Sequence, residues 1–369
     1  HMRAIGHLFF AHIGTELVAV NALRMPGRSD EPMRWRTDIL QRIGENDGSA
    51  NRVTTRTTAT PWGGVQTVLA DQQSRPIAYL GPCNASGVFV QKGRELLCLD
   101  PLTGEVIWTR SDMPQNIELY GDEQTLVVLP VETKEVLLLS ALDGQEIDRR
   151  PFDPTEQRWG SLGRNLLTWT QNAGTLTLRL TDIVSGTKLF EQKFANGSRG
   201  VLIQSDEVAV LQPDGQFTLI SLATGEVRVR GALEPEPGLM SLHVLRSRDD
   251  YLVVANGPPK SGAMQVNSVP GVVNSVILNG HIYQFDRRTG KARWPVPAIV
   301  EQFGLPLDQP AELPVLVFMR NAANRGKSQS ALLVLDRRDG RQLLFKDDIP
   351  VQANFAEIVG KPAGDGLTI

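Results

Sequence analysis

The sequence predicts an all-β chain, a seven-bladed β-propeller of four-stranded antiparallel blades, with an eighth blade left open. Three observations carry that expectation. One short turn signature (a side-chain oxygen, two free positions, a second oxygen, then glycine) recurs as LDPLTG (99–104), LSALDG (139–144), TDIVSG (181–186), ISLATG (220–225), FDRRTG (285–290) and LDRRDG (335–340). Each copy stands between two apolar alternating runs, and most copies lie about forty residues apart, a unit too small to bury itself alone. Composition agrees: 34 Gly and 23 Pro in 369 residues with little helical periodicity favour strands.

The turn chemistry is legible. A carboxylate or hydroxyl at the first position accepts a hydrogen bond from the backbone two residues on. Pro101 suits the second position because its φ is fixed. The closing glycine takes a left-handed conformation and lets the next strand begin with a bulge.

Strands placed on this frame give blades at 5–38, 76–112, 116–152, 157–195, 198–232, 240–298 and 303–350. Blade three, for example, uses Ile117–Tyr120, Thr125–Leu129, Glu135–Leu139 and Gln145–Arg149, and blade six uses Lys291–Trp294 as its outer strand. Blade one shows only His7–Ala11, Glu16–Val20 and Met33–Arg36, so its missing strand is expected from the tail, 354–359, closing the ring and removing two exposed edges. An eighth blade requires a degenerate unit within 40–75.

The segments Asp100-Pro-Leu-Thr-Gly-Glu-Val-Ile-Trp108 and Asp286-Arg-Arg-Thr-Gly-Lys-Ala-Arg-Trp294 resemble the tryptophan-docking repeat of the pyrroloquinoline quinone (PQQ) propellers. That superfamily holds quinoprotein alcohol dehydrogenases and BamB-like assembly lipoproteins. The resemblance implies a Trp packed between blades, and an extracytoplasmic, periplasmic setting in a bacterium. The position four after glycine is Trp only at Trp108 and Trp294, and elsewhere Asp148, Phe190, Val229 or Leu344. The dehydrogenase branch implies a vicinal cysteine pair and a calcium-holding carboxylate cluster, and no segment here matches either. The expectation is therefore a non-catalytic BamB-like scaffold with no cofactor. The alternative is a PQQ-dependent dehydrogenase, or a degenerate descendant that keeps a small ligand.

Composition and motifs narrow the classes further. A net charge of −3 gives no field that would draw nucleic acid, and the longest apolar runs are too short to cross a bilayer. The opening His1-Met2 reads as a cloning remnant, so the start of the chain bears on no compartment. Cys83 and Cys98 fall on the first and third strands of one blade, about 9.5 Å apart by strand spacing, and are expected as free thiols. His7, His12, His243 and His281 lack metal-ligand spacing. Asp249-Asp250 and Asp347-Asp348 read as solvated turn carboxylates, and Arg287-Arg288 and Arg337-Arg338 as solvated turn arginines. No GxSxG, Walker loop or CxxC is present.

Loop expansions are the functional signal. Most links between second and third strands are short, yet three segments swell: about 38–75, 257–280 and 321–329. In a ring these fall on consecutive blades six, seven and one, and on one face. Long loops on a rigid scaffold are where binding resides. A protein or peptide partner is therefore expected there, with Met264, Val266, Val269, Val272 and Val273 as apolar contacts and Arg320, Arg325 and Lys327 at the rim.

Overall fold

The computed structural model describes residues 2–13, 16–23, 32–38, 54–59, 65–70, 78–114, 117–130, 134–152, 156–172, 174–258, 275–306, 309, 313–324, 327–349, 359–360 and 367–368. Every regular element among them is a strand.

The six repeated turns close as their residues demand. In each, the glycine N–H donates to the carbonyl of the first residue at 2.8–2.9 Å, and the glycine φ lies between 68° and 76°. In the Asp copies, Oδ1 accepts the N–H two residues on: Leu102 at 2.7 Å, Val184 at 3.0 Å, Arg288 at 3.1 Å and Arg338 at 2.9 Å. The Thr103 N–H, with that of Leu102, holds the Asp100 carboxyl below its ordinary range. The outgoing strand then starts with a register shift at Val106/Trp108, Leu138/Leu139, Leu180/Thr181, Leu219/Ile220 and Val334/Leu335. An extra residue there sharpens the twist and re-aims the side chains beyond it.

Five separate antiparallel four-stranded sheets follow in chain order. Blade one is Met2–Ile5, Leu8–Ile13, Glu16–Asn21 and Met33–Asp38. Blade two is Ala78–Asn84, Gly87–Lys92, Glu95–Leu99 and Val106–Arg110, and blade three Ile117–Gly121, Thr125–Pro130, Glu135–Ser140 and Glu146–Pro151. Blade four is Gln157–Leu162, Asn165–Asn172, Thr175–Asp182 and Thr187–Ala195, and blade five Arg199–Ile203, Glu207–Leu211, Gln216–Ser221 and Val227–Ala232. Blades six and seven share one seven-stranded sheet: Ser241–Arg246, Asp250–Asn256, Ser275–Asp286, Ala298–Pro306, Val315–Asn324, Lys327–Asp336 and Gln342–Ile349.

The core lies between blades, as β-propeller packing requires. Leu8, Phe10 and Trp35 of blade one meet Leu80, Val88 and Val90 of blade two. Comparable clusters fill the seams between blades two and three, three and four, four and five, five and six, and six and seven. A middle blade is consequently buried on both faces, so Thr125–Pro130 and Glu207–Leu211 are covered at every position. Such strands lose the apolar/polar alternation that marks a one-sided sheet.

Several expectations need correction. Blade one takes its inner strand from Met2–Ile5, not from the tail: Ile5 pairs with Leu8 across Gly6-His7, and Gly6 supplies a φ of 55°. Residues 354–358 lie outside the described set, and Val359 pairs with Thr368. Lys291–Trp294 is not a strand and contributes only the bridge Phe285↔Ala292. Pro295 and Pro297 follow at once, and proline cannot donate to a ladder. The outer strand is instead Ala298–Pro306, which pairs along Ser275–Ile282 and touches blade seven at Gly304↔Met319. Within 38–75 the described strands Thr54–Ala59 and Val65–Ala70 form a two-stranded hairpin, not a blade.

Cys83 and Cys98 are both free, on the first and third strands of blade two as expected. Burial pushes each thiol up to about 12.

Candidate functional site

Two outer-strand tryptophans and Trp294, which precedes its blade's outer strand, lock blades to the turns that follow. Trp35 Nε1 donates to Pro101 O at 3.0 Å, Trp108 Nε1 to Ala141 O at 3.1 Å and Trp294 Nε1 to Arg337 O at 3.0 Å. Each acceptor is the residue after the first oxygen of the next blade's turn. Each indole also lies on that turn's glycine: a Cβ on Gly104, Gly144 or Gly340 would sit 2.6, 2.8 or 2.7 Å from the ring. Glycine is thus required twice, for its φ and for the close approach. Two cavities on the blades so arranged hold the groups that can act chemically.

The first lies at the base of the 257–280 expansion. Its two stems are clasped, with Gly257 N donating to Asn279 O at 2.7 Å and Asn279 N to Asn256 Oδ1 at 2.5 Å. Gly257 and Pro258 from one stem and Asn279, Gly280 and His281 from the other line a cavity of about 250 Å³. Ile299, Glu301 and Gln302 of the outer strand and Glu236 of the preceding loop complete its wall. Gln302 holds a φ of 58°, kept there by its N–H donating to Asn279 Oδ1 at 3.0 Å. His281 Nε2 lies 3.1 Å from Glu234 Oε2, while His281 Nδ1 is buried with no hydrogen-bond partner among the described residues. Ile299 is 62% exposed beside the opening.

The second is an axial cavity of about 190 Å³, where inner strands of blades one, three, four and five converge. Arg3, Glu118, Arg158, Trp159, Ser161 and Ser205 line it. Arg158 pairs with Glu118 and lies 5.7 Å above the Tyr120 ring. Among the described residues no group of three His, Cys, Asp or Glu side chains gathers around a common metal position.

Of the residues expected at the partner surface, Met264, Val266, Val269, Val272, Val273 and Arg325 lie outside the described set. Arg320 is placed, its guanidinium 4.7 Å above the Phe303 ring. Lys327 is opposite Asn324 in the register of an extended hairpin, Val315–Asn324 with Lys327–Asp336. The 321–329 expansion is therefore largely paired backbone. Sequence reasoning missed Glu236, His281, Ile299 and Gln302. The run Glu234-Pro-Glu-Pro-Gly238 was the available signal for a shaped acidic wall. Nothing in the sequence marked Gln302, whose φ depends on Asn279 across the sheet.

Two more expectations change here. Asp250 is not a solvated turn carboxylate: it is buried, accepts from Gln284 Nε2 at 2.8 Å and Ser247 Oγ at 2.7 Å, and pairs with Arg337 of blade seven at 3.3 Å. Arg337 is correspondingly covered, whereas Arg338 stays in solvent at 83% exposure and pairs with Asp336 at 2.8 Å. Arg287 lies 5.9 Å above the Tyr251 ring. A turn arginine that faces the sheet is thus structural, and its neighbour is free for solvent.

Blades joined by indoles seated on glycine turns define the protein class, a tryptophan-docked β-propeller. The sequence profile of the outer membrane protein assembly factor BamB matches residues 35–343, and the chain belongs to that family. No curated protein matches it. Among solved structures, BamB from Moraxella catarrhalis aligns with a TM-score of 0.38 at 10% identity, covering 94% of this chain and 87% of that one. The computationally designed Ika8 protein gives a TM-score of 0.31 at 14% identity over 72% and 85% of the two chains. Dihydro-heme d1 dehydrogenase NirN, in complex with DHE, gives 0.39 at 11% identity over 93% and 73%.

Proposed function

We propose that this protein is a non-catalytic scaffold that holds a protein or peptide partner through the sector of blades six and seven, in an extracytoplasmic compartment. Membership of an outer-membrane assembly family supports that class of partner. One observation carries the choice of sector: both stems of the longest inter-strand expansion of blade six are clasped together around a formed cavity. The loop between them is thereby presented from a fixed base, which lowers the ordering cost of binding. In a closed ring blade one follows blade seven, which is why the proposed sector takes in the 38–75 expansion.

A photo-crosslinking amino acid at Lys260 or Arg325, applied to a cell-envelope fraction, tests this. The expected result is one dominant adduct from both positions, absent from a control at Thr187 on blade four. Deletion of 260–274, which spares the strand Ser275–Asp286, is expected to abolish the Arg325 adduct while leaving circular dichroism and Tm unchanged. Equal crosslinking from blade four, or an unfolded deletion, overturns the reading.

A second reading, a small anionic ligand in the axial cavity, is favoured by Arg3. Its guanidinium and that of Arg158 both line that space. Thermal shift with PQQ and calcium separates the two: a ligand-dependent rise in Tm supports the axial site.

A further inference from the structure

We propose that one face of the ring is a self-recognition surface, on which blades six and seven of one copy meet blades two and three of a second copy. The proposal goes beyond the scaffold reading and does not rest on it. In an up-and-down blade the first-to-second and third-to-fourth strand turns emerge at one end, opposite the 257–280 and 321–329 expansions. Charge on that turn face is divided. Counted from the first oxygen to the residue after glycine, the turns DPLTGE (100–105), SALDGQ (140–145), DIVSGT (182–187) and SLATGE (221–226) of blades two to five carry −2, −1, −1 and −1. The turns DRRTGK (286–291) and DRRDGR (336–341) of blades six and seven carry +2 and +1. The whole chain stands at −3, so the basic sector is local and its complement lies on the same face.

The turn tips match as well. Two residues after the first oxygen stand Leu102 and Leu142 in blades two and three, 69% and 70% exposed, and Arg288 and Arg338, both exposed, in blades six and seven. Beside the leucines, Glu105 and Asp143 are exposed carboxylates, and Glu105 has no side-chain hydrogen bond or ion pair among the described residues. Beside the arginines the acids are already engaged. Asp250 is buried beneath Arg337 and Arg293 at 3.3 and 3.7 Å, Asp286 pairs with Arg293 at 2.7 Å, and the covered Asp336 carboxylate underlies Arg338. Arg248 offsets Asp249 on the adjoining turn. An arginine tip can therefore lay its stem on a leucine tip and give its guanidinium to the neighbouring carboxylate. Three of the four tips are fixed in advance, because Trp35, Trp108 and Trp294 dock on the carbonyl just before Leu102, Leu142 and Arg338. In a ring of seven, a two-fold axis through blade one pairs blade two with seven and three with six, so each contact is made twice. Arg338 then meets Leu102 and Glu105, and Arg288 meets Leu142 and Asp143. A flat anionic membrane fits less well, since it would also face the acidic turns of blades two to five.

Sedimentation velocity of the full chain across a concentration series tests this, with Tm recorded for every variant. The expected result is a dimer that forms with rising concentration in low salt and weakens about tenfold in high salt, where exposed charges are screened. Two charge-reversed variants are each expected to be monomeric: Arg288→Glu with Arg338→Glu, and Glu105→Arg with Asp143→Arg. An equimolar mixture of the two is expected to dimerise again, because each basic sector then faces an acidic one. A chain that stays monomeric at every concentration, a dimer that either variant leaves intact, or a mixture that stays monomeric overturns the proposal. If Arg338→Glu lowers Tm by breaking its pair with Asp336, Leu102→Ser with Leu142→Ser replaces that variant, with the same expected loss of dimer. A dimer that survives this replacement overturns the proposal too.

Discussion

Seams between blades are joined in two different ways. Between blades one and two, two and three, and six and seven, an indole sits on the next blade's turn glycine and donates to the next carbonyl. Between blades three and four, four and five, and five and six, the docking position holds Asp148, Phe190 or Val229, and polar clasps take over. Arg158 of blade four pairs with Glu118 of blade three. Asn165 Nδ2 of blade four donates to Leu222 O and Ala223 O of blade five at 2.8 and 3.0 Å. Arg246 of blade six reaches Asp206 and Glu207 of blade five at 2.8 and 3.0 Å, and Tyr251 Oη donates to Glu207 at 2.7 Å. The lesson is that the repeat conserves a backbone geometry, and more than one side-chain chemistry can hold it. An indole does so through area and one hydrogen bond. A buried ion pair does so only while both partners are present.

That difference sets the order of expected effects. Arg246→Ala is expected to be the most damaging, by about 3–5 kcal/mol, because it leaves the Glu207 charge buried with only the Tyr251 hydroxyl as partner. Urea unfolding measures it, and a loss as small as that of an exposed pair would show the clasp to be ornamental. Arg246→Lys should recover only part, since a point charge cannot serve both carboxylates as a guanidinium does.

Trp108→Ala should cost about 3 kcal/mol, toward the low end for a large aromatic because part of the ring remains open. If Phe190→Ala at a clasped seam costs as much, the two classes of seam are not distinct.

Glycine substitutions sharpen the comparison at smaller scale. Gly144→Ala is expected to cost on the order of 1–2 kcal/mol from its positive φ, plus a clash with Trp108. In the double variant with Trp108→Ala the two losses should couple by roughly 0.5–3 kcal/mol. Gly186→Ala, whose new Cβ would meet only the tip of Arg150 at 3.3 Å, should show the φ cost without coupling.

Acid titration gives the smallest effect. The Arg338 guanidinium and its backbone N–H hold Asp336 at about 2, below its ordinary 3.8. A depressed carboxyl stabilises the fold above its unfolded value, so this contribution is complete above about pH 4 and disappears as pH falls toward 2. In Asp336→Asn, denaturant titration should show the loss at neutrality, and the difference from the parent protein should vanish as pH falls toward 2.

Much of the fold was legible because it is local. Glycine φ, the Asx bonds and the bulge all arise within a few residues, so the turn signature carries them wherever it occurs. Trp35 was visible as an outer-strand residue, yet its docking was hidden because blade one's own turn is longer than the repeat. Met2–Ile5 is hard to read from sequence because His7, which belongs to the turn, looks like the start of the following strand. The outer strand of blade six was misplaced because Trp294 completes the motif, although two prolines then exclude it from the ladder. Of the candidate site, loop length marked the sector, while Glu236, His281 and Gln302 come together only across separate segments.

The sequence alone determined the repeat, the all-β class, the six glycine turns and the separation of the two thiols, since each follows from short-range sterics and hydrogen bonding. Tertiary structure decided which turn arginines are buried, which seams use tryptophan and which use charge, and how two loop stems enclose an acidic cavity. Those outcomes depend on contacts between residues distant in the chain, where desolvation and packing select one partner among many that sequence order leaves equal.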